Sequence, residues 1–161
     1  MKKTHIIRLL ALLLLFIIPM NVSAKKKKEM LRYEIEAAGV GVEGTYIVKA
    51  YVLCDKGKVP DELIKEAAVR GVIFRGFAAA NGAPSQKAMA SPAVEQEKAV
   101  FFDDFFGSGS HLGYANIVPG SYDRMKTSTG YRVGATVQVQ KTQLRRYLEE
   151  AGVIRGLNTG F

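Results

Sequence analysis

The chain has 161 residues, with 23 lysines and arginines against 15 aspartates and glutamates, a net charge of +8. That length suits one hydrophobic core and hardly two, and the single cysteine, Cys54, excludes an intrachain disulfide. Three of the eight net charges come from Lys2, Lys3 and Arg8 and four from Lys25 to Lys28, so the remaining body carries about +1 and lacks the charge excess of a nucleic-acid-binding domain.

The N-terminus has the three parts of a secretory signal peptide: a positive start (Lys2, Lys3, Arg8), an unbroken apolar run from Leu9 to Ile18, and small residues at a cleavage site, Val22-Ser23-Ala24, after the helix-breaking Pro19. A membrane-spanning helix needs roughly 20 apolar residues, about twice this run. We therefore expect cleavage after Ala24 and export to the periplasm or outer envelope; a retained anchor is the rival, because Lys25 to Lys28 just beyond the cut oppose the usual charge asymmetry of translocation. Residues 25–29 read as a basic tether, with transient contact to anionic membrane through the leader and Lys25 to Lys28, and residues 30–161 as a single domain.

Met30 to Ala37 alternates apolar and polar residues, the pattern of a half-buried strand, and Thr45 to Cys54 is a β-rich run apolar on both faces, suited to the middle of a sheet. The connection between them, Gly39-Val40-Gly41-Val42-Glu43-Gly44, matches Gly-x-Gly-x-x-Gly, but a β-rich run follows it where a nucleotide fold needs a helix. It reads as a hairpin connection. Pro60 starts a helix, with Asp61 and Glu62 in its first turn and a stop at Arg70-Gly71, after which Val72 to Phe77 reads as a short strand. Ala78 to Ala90 is a small-residue loop containing Asn81-Gly82 and Pro84, long for a compact domain and so mobile or functional. Ser91-Pro92 opens a second helix as cap and first helical residue. It carries Phe101, Phe102, Phe105 and Phe106, four of the eight phenylalanines.

Gly107 to Gly113 reads as a flexible loop, Tyr114 to Val118 as a short strand or helical turn, and Ser121 to Thr127 as a polar edge strand. Tyr131 to Gln140 alternates most clearly of all. Thr142 caps a last helix with Leu144, Tyr147, Leu148 and Ala151 on one stripe, stopped by Gly152. The order is ββαβαββα, an α+β fold with a mainly antiparallel twisted sheet and helices packed mostly on one face.

Few residues carry chemistry. His5 leaves with the leader, which isolates His111 in a Gly/Ser-rich loop with no nucleophile elbow after a strand. Asp103 and Asp104 are adjacent on a helix and cannot converge on one ion unaided. No cofactor or metal site is expected. The Phe-rich helix is core by pattern, but outward-facing Phe102 and Phe106 would form a contact patch, and the loop with Asn81, Gly82 and Pro84 is the other candidate surface.

Gly-Tyr-Arg-Val-Gly-Ala-Thr-Val-Gln-Val-Gln-Lys-Thr-Gln-Leu-Arg-Arg-Tyr-Leu (130–148) resembles the closing strand–helix unit of small envelope domains of the LPP20 and FlgT-like group. Thr45 to Gly71 is similar to their earlier unit, and the leader resembles those of secreted Bacteroidota proteins. The lipobox cysteine of the lipoprotein members is absent, and no site residue transfers. The resemblance implies a non-enzymatic envelope accessory or assembly domain that binds an envelope protein or itself. The alternative is a small periplasmic hydrolase or carbohydrate-active enzyme using His111 or Asp103 and Asp104.

Overall fold

A computed structural model describes residues 30–156; the leader, the basic tether and residues 157–161 lie outside the described residues. The alternating segments become strands β1 (Tyr33–Gly39), β2 (Tyr46–Cys54) and β5 (Gly130–Val139), joined by the short β3 (Ala115–Ile117) and β4 (Asp123–Thr127). Among the described residues these form one five-stranded antiparallel sheet in the order β1-β2-β5-β3, with β4 also on β5. The helices are α1 (Asp61–Phe74), α2 (Pro92–Glu97), α3 (Ala99–Gly107) and α4 (Lys141–Glu150), with a 3-10 turn at Ser110–Tyr114.

β2 lies between β1 and β5, and β5 pairs with it from Tyr46↔Val139 to Cys54↔Tyr131. On its other side β5 meets β4 along one half and β3 along the other. Ile117 faces Val137 and Asp123 faces Gly134, so Val118 to Tyr122 bulge out opposite Ala135 and Thr136 alone. Ser121 closes this gap: its hydroxyl accepts from Thr136 N–H at 3.0 Å and donates to Val118 C=O at 2.6 Å.

The alternation decides which face is buried. Val48, Ala50 and Val52 of β2 and Val133, Ala135, Val137 and Val139 of β5 turn inward. They pack against Ile64, Ala68, Val72 and Ile73 of α1, the phenylalanines of α3, and Leu144 and Leu148 of α4. The opposite face carries Glu34, Glu36, Lys49 and Arg132.

α1 is longer than the sequence indicates. Val72 to Phe74 continue the helix in place of the expected strand, and Gly71 does not stop it. The β-branched and aromatic residues here have strand propensity, but Val72, Ile73 and Phe74 each bury a side chain as helical residues, and packing overrides propensity. Gly71 instead lets the helix touch the sheet: a Cβ there would lie 2.0 Å from Ile35 Cγ2. The stop is Gly76, whose φ is 68° and whose N–H donates to Gly71 C=O at 2.9 Å. Pro60 sits one residue before the helix, at its N-cap.

The second expected helix is divided at Lys98 (φ −111°, ψ 32°) into α2 and α3. Ser91 does occupy the N-cap of α2 and Pro92 its first turn, though the Ser91 side chain makes no capping bond. Thr142 does not cap α4. Gln140 holds that position, and the Thr142 N–H is met by Gly44 C=O at 3.1 Å, from the β1–β2 turn. The last turn closes as expected at Gly152: Val153 N–H reaches back to Leu148 C=O at 2.9 Å, a Schellman closure that tucks Val153 into the core.

Replacing Gly71 by alanine forces its methyl into Ile35. We expect Gly71→Ala to destabilise the domain by about 1–3 kcal/mol in urea unfolding, and Ile35→Ala in the same chain to recover part of that loss. Equal and additive losses in the two single variants and the double variant would show that the helix and strand do not meet here.

Candidate functional site

The β1–β2 turn, the loop after α1 and the start of α4 converge at one end of the sheet around a pocket of about 270 Å³. The turn forms its first wall. Thr45 fixes it, with N–H and hydroxyl both donating to Val42 C=O at 3.0 and 2.8 Å, and the Gly44 bond to Thr142 ties it to α4. On this anchored turn Val40 and Val42 stand 72% and 70% exposed, two branched apolar side chains presented to solvent on a restrained backbone.

The second wall is the Ala78–Ala90 loop, which is not a slack segment. Phe77 and Gln86 exchange both backbone hydrogen bonds at 2.9 Å, and inside them Ala80 and Ala83 exchange theirs at 3.2 and 2.9 Å. The two residues at the tip, Asn81 (φ 51°) and Gly82 (φ 78°), both take left-handed conformations, the geometry of a tight two-residue hairpin for which Asn-Gly is the preferred sequence. The Asn81 side chain then donates to Ala37 C=O of β1 at 2.8 Å.

Tyr46 joins the walls at the pocket floor. Its hydroxyl donates to Gln86 Oε1 at 2.7 Å, its ring meets Phe77 edge-on at 5.3 Å, and Lys141 Nζ lies 5.0 Å from the ring centroid. Ile47, Ala83 and Pro84 complete an apolar lining with Lys141 and Glu43 as its charged members. Such a concavity can hold an apolar side chain and offer it a few oriented polar contacts.

Of the residues singled out from the sequence, Pro84 lines this pocket and Asn81 and Gly82 form the exposed tip of its second wall. Phe102 and Phe106 do not belong to any surface: they are 2% and 4% exposed. Phe102 lies against Phe74 at 4.9 Å, and the Arg70 guanidinium covers the Phe106 ring at 3.8 Å while pairing with Glu66 and Glu95. They are core residues, as the helix pattern indicated, and they do not form the contact patch that outward-facing phenylalanines would make. His111 is also displaced from the expected exposed loop. It sits in the 3-10 turn at 3% exposure, its ring 5.2 Å from Phe106 and 6.1 Å from Phe105. Asp103 and Asp104 are exposed on α3. Among the described residues no three His, Cys, Asp or Glu side chains form a group fit to hold a metal ion, and no helix is long and apolar enough to cross a membrane.

No local pattern marks Tyr46, Phe77, Gln86 or Lys141, because their meeting depends on tertiary pairing. Val40 and Val42 did carry one, as branched apolar residues inside a glycine-rich turn.

A second polar cluster occupies the open sheet face. Arg132 pairs with Glu34 at 2.8 Å and with Glu36, and its guanidinium lies 3.3 Å over the Tyr51 ring. Tyr51, 3% exposed, lies against Gly134, where a Cβ would come within 2.6 Å of its ring. Tyr51 and Lys49 both reach Asp123 Oδ2, at 3.3 and 3.1 Å. All these side chains are consumed by one another, so the cluster braces β1, β2, β5 and β4 and leaves the pocket as the better candidate site. No protein family, curated protein or solved structure matches the chain, so the site is read from its geometry alone.

Tyr46→Phe removes the one side-chain bond between floor and loop. We expect a loss of about 1 kcal/mol and faster amide exchange at Phe77 and Gln86, with exchange in β5 scaling only with global stability. The Lys49 hydrogen bond, then the Lys49 charge, hold the Asp123 carboxyl below its ordinary 3.8. A carboxyl lowered on folding contributes stability that is complete above its unfolded value and is lost as pH falls through the folded one. Asp123→Asn should therefore flatten the acid limb of a stability–pH curve below about pH 4; an unchanged limb would place the acid sensitivity elsewhere.

Proposed function

We propose that this chain is a non-enzymatic interaction or assembly domain of the bacterial cell envelope, exported by its leader and binding an envelope protein through the pocket end of the sheet. The observation that carries this reading is the pair Val40 and Val42, exposed on an anchored turn beside a preformed concavity. Isolated exposed apolar residues need no explanation, but two held next to a pocket with apolar walls form the core of a small contact patch. Because both walls are hydrogen-bonded in place, little conformational entropy is lost when a partner lands on them. The tripartite leader supports the location, and the resemblance of the β5–α4 unit to envelope accessory domains points the same way. Nothing in the surroundings of His111, Asp103 or Asp104 favours the hydrolase alternative: the histidine is enclosed by aromatic rings and the two aspartates face solvent.

Crosslinking capture from native envelope fractions tests this, with Val40→Ser/Val42→Ser beside the wild type. We expect a specific partner that the variant loses, at an unchanged melting temperature, since neither valine is buried. Capture that survives both substitutions would move the contact away from this end of the sheet. Absence of any partner would count against the interaction reading itself.

A further inference from the structure

Among the described residues the outer edge of β1 is closed by side chains rather than by another strand. Arg32 C=O accepts from Leu53 N–H at 2.9 Å, so alternate backbone groups, those of Glu34 and Glu36, also face β2, and those of Tyr33, Ile35 and Ala37 face outward. Two of these three outward carbonyls are capped. Arg75 Nη1 donates to Tyr33 C=O at 2.5 Å, with its guanidinium 4.1 Å over the Tyr33 ring, and Asn81 Nδ2 donates to Ala37 C=O at 2.8 Å. Both caps come from exposed residues in the segment that follows α1. The opposite edge offers no comparable ladder: the Val118–Tyr122 bulge breaks it, and Arg124 and Lys126 stud its longer half. Bulges and charges are the usual means of blunting an edge; β1 is regular from Tyr33 to Ala37 before a bulge at Gly39, its charges lie on the open face, and among the described residues two exchangeable hydrogen bonds shield its outward carbonyls.

We propose that the outer edge of β1 is a strand-addition site, latched by Arg75 and Asn81, for an extended segment of another protein that carries basic residues at alternate positions. Charge selects this occupant. A strand added here sets its alternate side chains beside Glu34 and Glu36 on the open face, which are 47% and 54% exposed in their side chains and share the single Arg132. Cations on that face complete the cluster. A second copy of β1, paired antiparallel about Ile35, would set Glu34 directly opposite Glu36, and like charges in direct cross-strand positions are destabilising. The other face of the incoming strand lies alongside Tyr33, Ile35 and Ala37 and takes apolar residues. This surface is the strand edge itself, and it adjoins the pocket through Asn81, the tip of the pocket's second wall.

The test uses the full-length protein and a labelled peptide, acetyl-Lys-Val-Lys-Val-Lys-Val-Lys-amide, against its Glu-Val counterpart. Binding is read by fluorescence anisotropy and located by amide shifts and exchange protection. The latch variant Arg75→Ala/Asn81→Ala should bind the basic peptide about tenfold or more tighter than the wild type, since two competing hydrogen bonds are removed. It should ignore the acidic peptide and protect the amides of Tyr33, Ile35 and Ala37. Equal affinity of wild type and variant, equal affinity for the two peptides, or shifts away from β1 would overturn the proposal. So would a variant that binds neither peptide, or one that dimerises through this edge in sedimentation. Should the double variant fail to fold, Asn81→Asp, which keeps the side chain's size and loses its donor, carries the same expectation in direction and the same overturning results.

Discussion

Strand β5 carries the structure. Its ten residues pair with β2 along one side and with β4 and β3 along the other, while Val133, Ala135, Val137 and Val139 turn inward beside Val48, Ala50 and Val52 of β2. None of these partners except β4 is local in sequence. The chain must fold back from its C-terminal third to meet β2, a connection whose closure entropy is regained only when the inward side chains are buried against α1, α3 and α4. A polar residue at any of those four positions would strike pairing and core together.

The candidate site follows from where these two strands stop. β2 begins at Tyr46 opposite Val139, the last residue of β5, so the turn before β2 and the helix after β5 necessarily meet. Their junction is the Gly44–Thr142 hydrogen bond, which supplies the helix with the cap that its own side chains do not provide and holds the turn upright. Lys141 is thereby set over Tyr46, and the Phe77–Gln86 hairpin closes the remaining side. Binding geometry at this end is a by-product of helix capping and strand register.

Much of this architecture was legible in the sequence because period-two alternation survives wherever one face is solvated. β2 and β5 appear within one residue of their observed limits and β1 within three, and the edge position of β4 and the termination at Gly152 were also readable. The extension of α1 was not legible. Val-Ile-Phe after a glycine has the same local signal as a strand, and what decides it is the contact of Gly71 with Ile35, a residue in another element. The burial of Phe102 and Phe106 was ambiguous for a related reason: a short helix with phenylalanines on adjacent sides has no polar stripe to orient it, and Arg70, which covers one of them, comes from α1. For the site, the Asn81-Gly82 turn and the glycine-rich connection were each visible separately. Their apposition was not, since no local pattern records that Tyr46 and Gln86 share a hydrogen bond.

The outward excursion at Val118 to Tyr122 has a consequence for how the chain can vary. The segments on either side of it are registered on β5 independently, one by Ile117 against Val137 and the other by Asp123 against Gly134. Ser121 and the Val118 N–H, which donates to Thr136 C=O at 2.9 Å, bridge the gap between them. Residues added between Gly120 and Ser121 therefore lengthen a surface projection without shifting either half-strand by one position, the slip that would turn its side chains to the wrong face. This is the place in the fold where an epitope, a tag or an evolutionary insertion can enter the sheet and leave its core unaltered.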